Sequence, residues 1–173
     1  MTYFIDFDYT IFDAAAFTRY LQESPKGENY SGLSPREVAA ALEPQVKDGS
    51  FAFAPGELAP FVYVDVPEFL RDVGNSAIVI TYGNPFSQRA KVQSALHGIP
   101  RVTALYTGDE RKGRFLAERI DAYGTAPVVV DDLSEELEIL AELCPQARLF
   151  EMRRDKARGD GRWPVIGSLS ELP

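Results

Sequence analysis

Thr2-Tyr3-Phe4-Ile5-Asp6-Phe7-Asp8-Tyr9-Thr10 opens the chain with a short apolar run, rich in aromatic and branched side chains, that ends in two carboxylates one residue apart. An apolar run of this length, giving way to polar residues, reads as a buried strand. On a strand that continued through them, Asp6 and Asp8 would point to one face. Two like charges that close are costly to keep ionised unless a cation or a shared proton offsets them. An oxygen-loving divalent ion such as Mg²⁺ is the simplest offset. A strand running into a polar turn would also put Asp here, so the rest of the chain has to decide.

At 173 residues the chain is expected to form one domain, long enough to bury about 70% of its extended surface. Hydrophobic content of 45% and charged content of 25% match an ordinary soluble protein. No apolar run is long enough to span a bilayer, and no basic leader precedes the first strand. The single cysteine, Cys144, excludes an internal disulfide and reads as a small buried residue. Together these features lead to the expectation of a cytoplasmic protein with no membrane partner. A net charge of −8 argues against binding along a nucleic-acid backbone. The one basic concentration, Arg153, Arg154, Lys156, Arg158 and Arg162, is interrupted by Asp155 and Asp160 and reads as a solvated loop. Oligomeric state leaves no trace in the sequence.

Working outward, Phe17, Tyr20 and Leu21 predict a helix over about 12–23, ended by Ser24-Pro25-Lys26-Gly27. Ser34-Pro35-Arg36-Glu37 is a capping box for a second helix, which Pro44 is expected to stop. Residues 48–60, rich in Gly, Pro, Phe and Ala, read as an irregular crossing. From Pro67 the pattern turns regular. A helix through Phe69, Leu70 and Val73 ends at Gly74, and a strand Ala77–Ile80 ends at Thr81. Asn84 and Pro85 start a helix to about His97, which reads as a C-terminal cap residue. Then come a strand 101–106, a helix 111–123, a strand 127–131, a helix from Ser134 and a strand 148–152, with Trp163 as a packing anchor beyond. Alternating strands and helices of this length predict an α/β fold of Rossmann-like three-layer α/β/α type, with a parallel sheet of about five strands. Residues 1–13 and 66–173 form its core. Residues 14–65 break the alternation and read as a small, mainly helical insert whose aromatics Phe51, Phe53, Phe61 and Tyr63 pack against the core. Ligands of such sheets bind beyond the carboxyl ends of the strands, where Asp6, Asp8, Thr81 and Asp131-Asp132 fall.

Asp6-Phe7-Asp8-Tyr9-Thr10 resembles the first motif, D-x-D-x-T, of the haloacid dehalogenase-like (HAD) superfamily, and the later motifs follow in order. Thr81 resembles the second. Lys112, in Arg111-Lys112-Gly113-Arg114, resembles the third, with Lys91 as a rival. Val128-Val129-Val130-Asp131-Asp132 resembles the fourth. The resemblance covers residues 1–13 and about 66–151. It implies that Asp6 is a nucleophile and metal ligand, and that Asp8 is the general acid/base and a ligand through its carbonyl. It also implies that the Thr81 hydroxyl and the Tyr82 N–H hold phosphoryl oxygens, and that Lys112 neutralises the phosphorylated Asp6. Asp131 stands where the family commonly has Gly, which makes Asp132 the direct Mg²⁺ ligand and Asp131 a supporting one; Glu135 or Glu136 stands in for a later acid. The insert falls where the family places its cap.

That chemistry is consistent with the residue types. A carboxylate can attack phosphorus and split one difficult step into two, provided cations shield it and a second carboxyl serves the leaving oxygen. Within the family the chain resembles, phosphatases and phosphomutases keep an Asp two residues after the nucleophile and dehalogenases do not, so the resemblance implies phosphoryl transfer through Asp8. The expectation is a Mg²⁺-dependent phosphatase of a small phosphorylated metabolite. The alternatives are a phosphomutase of the same family and a catalytically idle binding protein. The sequence does not name the substrate.

Overall fold

The computed structural model describes residues 1–23, 30–124, 126–155, 159 and 161–173. Its centre is β1 (Tyr3–Asp6), every residue of which is buried. Parallel partners flank it on both sides: β2 (Ala77–Thr81), with Asp6 opposite Ile80, and β4 (Val128–Asp131), with Ile5 opposite Val130. Outward lie β3 (Thr103–Tyr106) beside β2, and β5 (Arg148–Met152) then β6 (Val165–Ile166) beside β4. The order β3-β2-β1-β4-β5-β6 reverses direction between β1 and β4. A crevice therefore forms where the carboxyl ends of those two strands diverge.

Side chains alternate across the sheet with period two. Tyr3, Ile5, Val79, Val128 and Val130 join one apolar cluster, while Phe4, Ile78, Ile80 and Val129 join the other. The second cluster is closed by α5 (Lys112–Ala117) and α6 (Ser134–Leu143), through Leu116, Leu137 and Leu140. The first is covered by α3 (Val66–Val73) and α4 (Pro85–Ala95), and by α1 (Ala14–Glu23) and α2 (Pro35–Asp48) of segment 14–65. The result is three layers, α/β/α.

The ends of segment 14–65 are stitched together where Phe12 bridges Val62 and the Asp13 N–H bonds the Phe61 carbonyl at 2.8 Å. Phe17 and Phe61 both meet Phe12 edge-on, so the insert's aromatics pack into the main core. The Ser34–Glu37 capping box forms.

Several expectations are corrected. The parallel sheet, expected to have about five strands, has six among the described residues, because the short β6 pairs with β5. Two residues are too short to show a period. Pro44 does not stop α2, which runs on to Asp48 and ends at Gly49 in the left-handed region, φ 79°. The ring removes the bond to the carbonyl of Ala40, but Ala40 is exposed, so the loss falls on a residue that water can reach. Residues 111–123 split into α5 and a 3₁₀ turn at Ile120–Tyr123. His97 lies past the end of α4 at Ala95, whose cap is Leu96. The break expected at Ser24–Gly27 lies outside the described residues, as do Lys156, Arg158 and Asp160 of the basic stretch. Arg153 and Arg154 are anchored, not solvated. Arg153 donates to the Asp132 carbonyl at 2.8 Å, and Arg154 grips Asp65 at 2.8 and 2.9 Å and the Thr10 carbonyl at 2.6 Å. Among the described residues no helix is long and apolar enough to cross a membrane.

Candidate active site

Three neighbouring strands end in Thr81, Asp6 and Asp131, so parallel pairing alone brings these polar residues to one rim of the sheet. Asp132 follows β4. Carboxylate oxygens of Asp6, Asp131 and Asp132 lie within 4.8 Å of one another. From the first residue of α5, the buried Lys112 ammonium reaches between two of them, 2.5 Å from Asp6 Oδ1 and 2.8 Å from Asp131 Oδ2. Asp131 is held from its other side, where Oδ1 accepts the Leu133 N–H at 3.0 Å. The Lys112 side chain is 4% exposed and that of Asp6 4%, so these charges interact with little screening by water.

Electrostatics follow from the count of three carboxylates against one ammonium. Burial, reinforced by Asp131 and Asp132, raises the Asp6 carboxyl well above its ordinary range despite Lys112. Burial and Asp131 push Asp132 up to about 6. For Lys112, burial favours the neutral amine, yet Asp6 and Asp131 outweigh it and hold the ammonium above its usual range. Asp6 Oδ2 is buried with no hydrogen-bond partner. An oxygen left in this way costs about 1–3 kcal/mol unless a ligand satisfies it. All-oxygen donors, surplus negative charge and an orphaned carboxylate oxygen fit Mg²⁺. Asp6, Asp131 and Asp132 are the side chains that could hold it.

The support of Lys112 was not legible from sequence. Glu136, buried in α6, accepts the Gly113 N–H at 2.8 Å and Arg111 Nε at 2.8 Å, so it grips the residues on both sides of Lys112. It faces α5 rather than the carboxylate cluster, as does Glu135, which pairs with Arg111 at 3.0 Å. Neither stands in as a later metal acid among the described residues. Gly113 permits this close packing: a Cβ there would lie 2.9 Å from the Glu136 carbonyl and from Ile139.

Asp8 departs from the expected geometry. β1 ends at Asp6 and the chain turns through Tyr9, φ 65°, with the N–H groups of Ile11 and Phe12 both on the Phe7 carbonyl at 2.9 Å. The Asp8 carboxylate therefore leaves the three-carboxylate cluster and meets α4, where Lys91 Nζ lies 2.5 Å from Oδ1 and Gln88 Nε2 3.1 Å from Oδ2. Lys91, the rival to Lys112, sits 5.3–5.9 Å from the ring centroids of Phe7, Phe12 and Phe17. Gln88 and Lys91 share one face of α4, so their spacing was a usable signal. Thr81 is buried, and Tyr82 is exposed, its carbonyl accepting Gln88 Nε2 at 3.0 Å.

No family model matches the chain, and no curated protein does. Among solved structures, a candidate haloacid dehalogenase-like hydrolase from Burkholderia xenovorans is 15% identical with TM-score 0.64, over 99% of this chain and 94% of that one. A candidate HAD-hydrolase, YfnB from Bacillus subtilis, solved bound to magnesium, is 12% identical with TM-score 0.64, over 99% and 96%. A haloacid dehalogenase-like family hydrolase from Xanthomonas campestris is 14% identical with TM-score 0.57, over 97% and 90%. At these identities the likeness is one of fold.

Proposed function

We propose, on the premise of a fold shared with the haloacid dehalogenase-like hydrolases, that the protein is a Mg²⁺-dependent phosphatase acting on a small phosphorylated metabolite through an aspartyl-phosphate on Asp6. The observation that carries the reading is the state of Asp6: buried at the sheet's switch point, Oδ1 held by Lys112 at 2.5 Å and Oδ2 without a partner. One oxygen is held by Lys112 and the other is open to a ligand.

In this scheme the Asp6 carboxylate bonds to phosphorus as the bond to the leaving oxygen breaks, and Asp8 delivers a proton to that oxygen. Asp8 then takes a proton from water, which attacks phosphorus, releases phosphate and returns Asp6 to its starting form. Lys112 offsets the charge of the phosphorylated carboxylate, and the Thr81 hydroxyl and Tyr82 N–H receive phosphoryl oxygens. Asp6, Asp132, Asp131 and the Asp8 carbonyl would hold the ion. When bound, it supplies charge neutralisation between an anionic nucleophile and an anionic substrate. Segment 14–65 serves as a cap.

Phosphate release from a panel of phosphorylated metabolites tests the reading. Asp6→Asn is expected to lower turnover by about 10³-fold or more, because the covalent route is lost, and EDTA is expected to stop it. Beryllofluoride with Mg²⁺ should raise Tm in the parent protein and not in Asp6→Asn. Unchanged turnover in Asp6→Asn or after EDTA would sink the reading.

A further inference from the structure

We propose that the cavity beside Asp8 receives an apolar or aromatic alcohol carrying no second anionic group, so that the preferred substrates are phosphate esters of such alcohols. The inference rests on the phosphatase reading of this site and narrows it to a substrate class.

The cavity measures about 490 Å³ and lies between α1, α2 and the start of α4. Asp8, the residue that meets the leaving oxygen, lines it, and so does the exposed Tyr9. An apolar site of about 150 Å³ already holds benzene, so there is room for an aryl group beyond the phosphate. Tyr9, Ala14, Ala39 and Ala40 present the apolar surface of the cavity, with the buried Phe17, Leu21, Val38 and Leu42 packed behind them. A site with such walls gains affinity from apolar groups that displace water from them.

Charge then excludes the alternatives. The lining residues include three carboxylates, Asp8, Glu43 and Asp109, against one cation, Lys91. Lys91 is already committed to Asp8 at 2.5 Å. Glu43 is fixed in place, because it accepts Asn84 Nδ2 at 2.5 Å while Asn84 Oδ1 caps α4 through the Phe86 and Ser87 N–H groups. A substrate bearing a carboxylate or second phosphate would enter surplus negative charge and, among the described residues, meet no uncommitted cation on the lining. Like-charge juxtaposition of this kind rejects ligands.

Calorimetric titration in the presence of Mg²⁺ with benzylphosphonate, methylphosphonate and phosphonoacetate tests this without turnover, since phosphonates resist hydrolysis. Benzylphosphonate should bind at least about tenfold more tightly than methylphosphonate, and phosphonoacetate no more tightly than methylphosphonate. Ala40→Asp, at an exposed lining position of α2, should bring the benzyl-to-methyl ratio toward one, with a melting curve to check folding. Absent binding of benzylphosphonate, equal binding of all three, or tightest binding of phosphonoacetate overturns the proposal. If benzylphosphonate is preferred while no ester releases phosphate, the substrate pocket stands and the phosphatase reading fails. If phosphate is released with no benzyl preference, the phosphatase reading stands and the substrate pocket fails.

Discussion

Asp6 and Asp8 are two residues apart in the chain and end in opposite circumstances. Asp6 is buried, with one oxygen on Lys112 and the other on nothing. The Asp8 side chain is 26% exposed, and both its oxygens are engaged by donors from α4. The cause is where the strand stops. Asp6 is the last residue of β1 and stays in the crevice beside β4, whereas the turn through Tyr9 carries Asp8 toward α4. A folded chain seldom leaves a buried carboxylate oxygen unsatisfied. Glu151 Oε2 is also buried without a partner, but at Asp6 the open oxygen lies in a cluster with Asp131 and Asp132, and that combination marks Asp6 as a group awaiting a ligand, while Asp8 is already paired.

The sharpest way to break this contrast is to remove the cation on each side in turn. Lys112→Met leaves Asp6 and Asp131 without their ammonium in a site that water hardly reaches. Losing one partner of a buried ion pair costs about 3–5 kcal/mol, so urea unfolding at pH 7 without metal should show a destabilisation of that order, partly recovered with Mg²⁺. Phosphate release should fall about 10³-fold or more, because Lys112 balances the charge of the phosphorylated carboxylate. A variant as stable as the parent would mean that the cluster does not depend on Lys112.

What the sequence made legible follows the same division. β1, β2 and β4 were legible because all their residues are buried, so each reads as an unbroken apolar run. Their terminal residues then follow from strand pairing without further information. β6 was not legible, since its partner β5 rather than its own composition makes Val165–Ile166 a strand. The end of α2 escapes sequence reasoning because Pro44 signals a stop unless the residue it deprives of a bond is known to be within reach of water. The carboxylate direction at Asp8 depends on a turn that period-two reasoning does not contain, and the hold of Glu136 on residues 111 and 113 depends on the docking of α6 against α5.

A proton-linked effect of intermediate size sharpens the Asp6 side. The folded state raises Asp132 to about 6 from 3.8 through burial and Asp131. A carboxyl raised in the folded state stabilises the fold when protonated. That contribution is fully present below the unfolded value and is lost as pH climbs toward the folded one. Metal-free protein should therefore lose stability between about pH 4 and 6 from this group. Mg²⁺ must displace the proton, so its affinity should fall by up to about tenfold per pH unit below about 6. The Tm gain from Mg²⁺ should accordingly be larger at pH 7 than at pH 5. A gain independent of pH would remove Asp132 from the ion's ligands.

The smallest effect belongs to the other carboxylate. Lys91→Met takes the ammonium from Asp8, but Gln88 Nε2 remains at 3.1 Å and the side chain's 26% exposure lets water replace the lost donor. The methionine also keeps an apolar stem against Phe7, Phe12 and Phe17, where the ammonium now sits 5.3–5.9 Å from the ring centroids. The loss is then one partly solvated pair with its cation–π contacts, about 1–2 kcal/mol in urea unfolding. That is well under the cost of Lys112→Met. Equal destabilisation by the two substitutions would mean that Asp8 is as closed to water as Asp6, and the distinction between an awaiting carboxylate and a satisfied one would no longer hold.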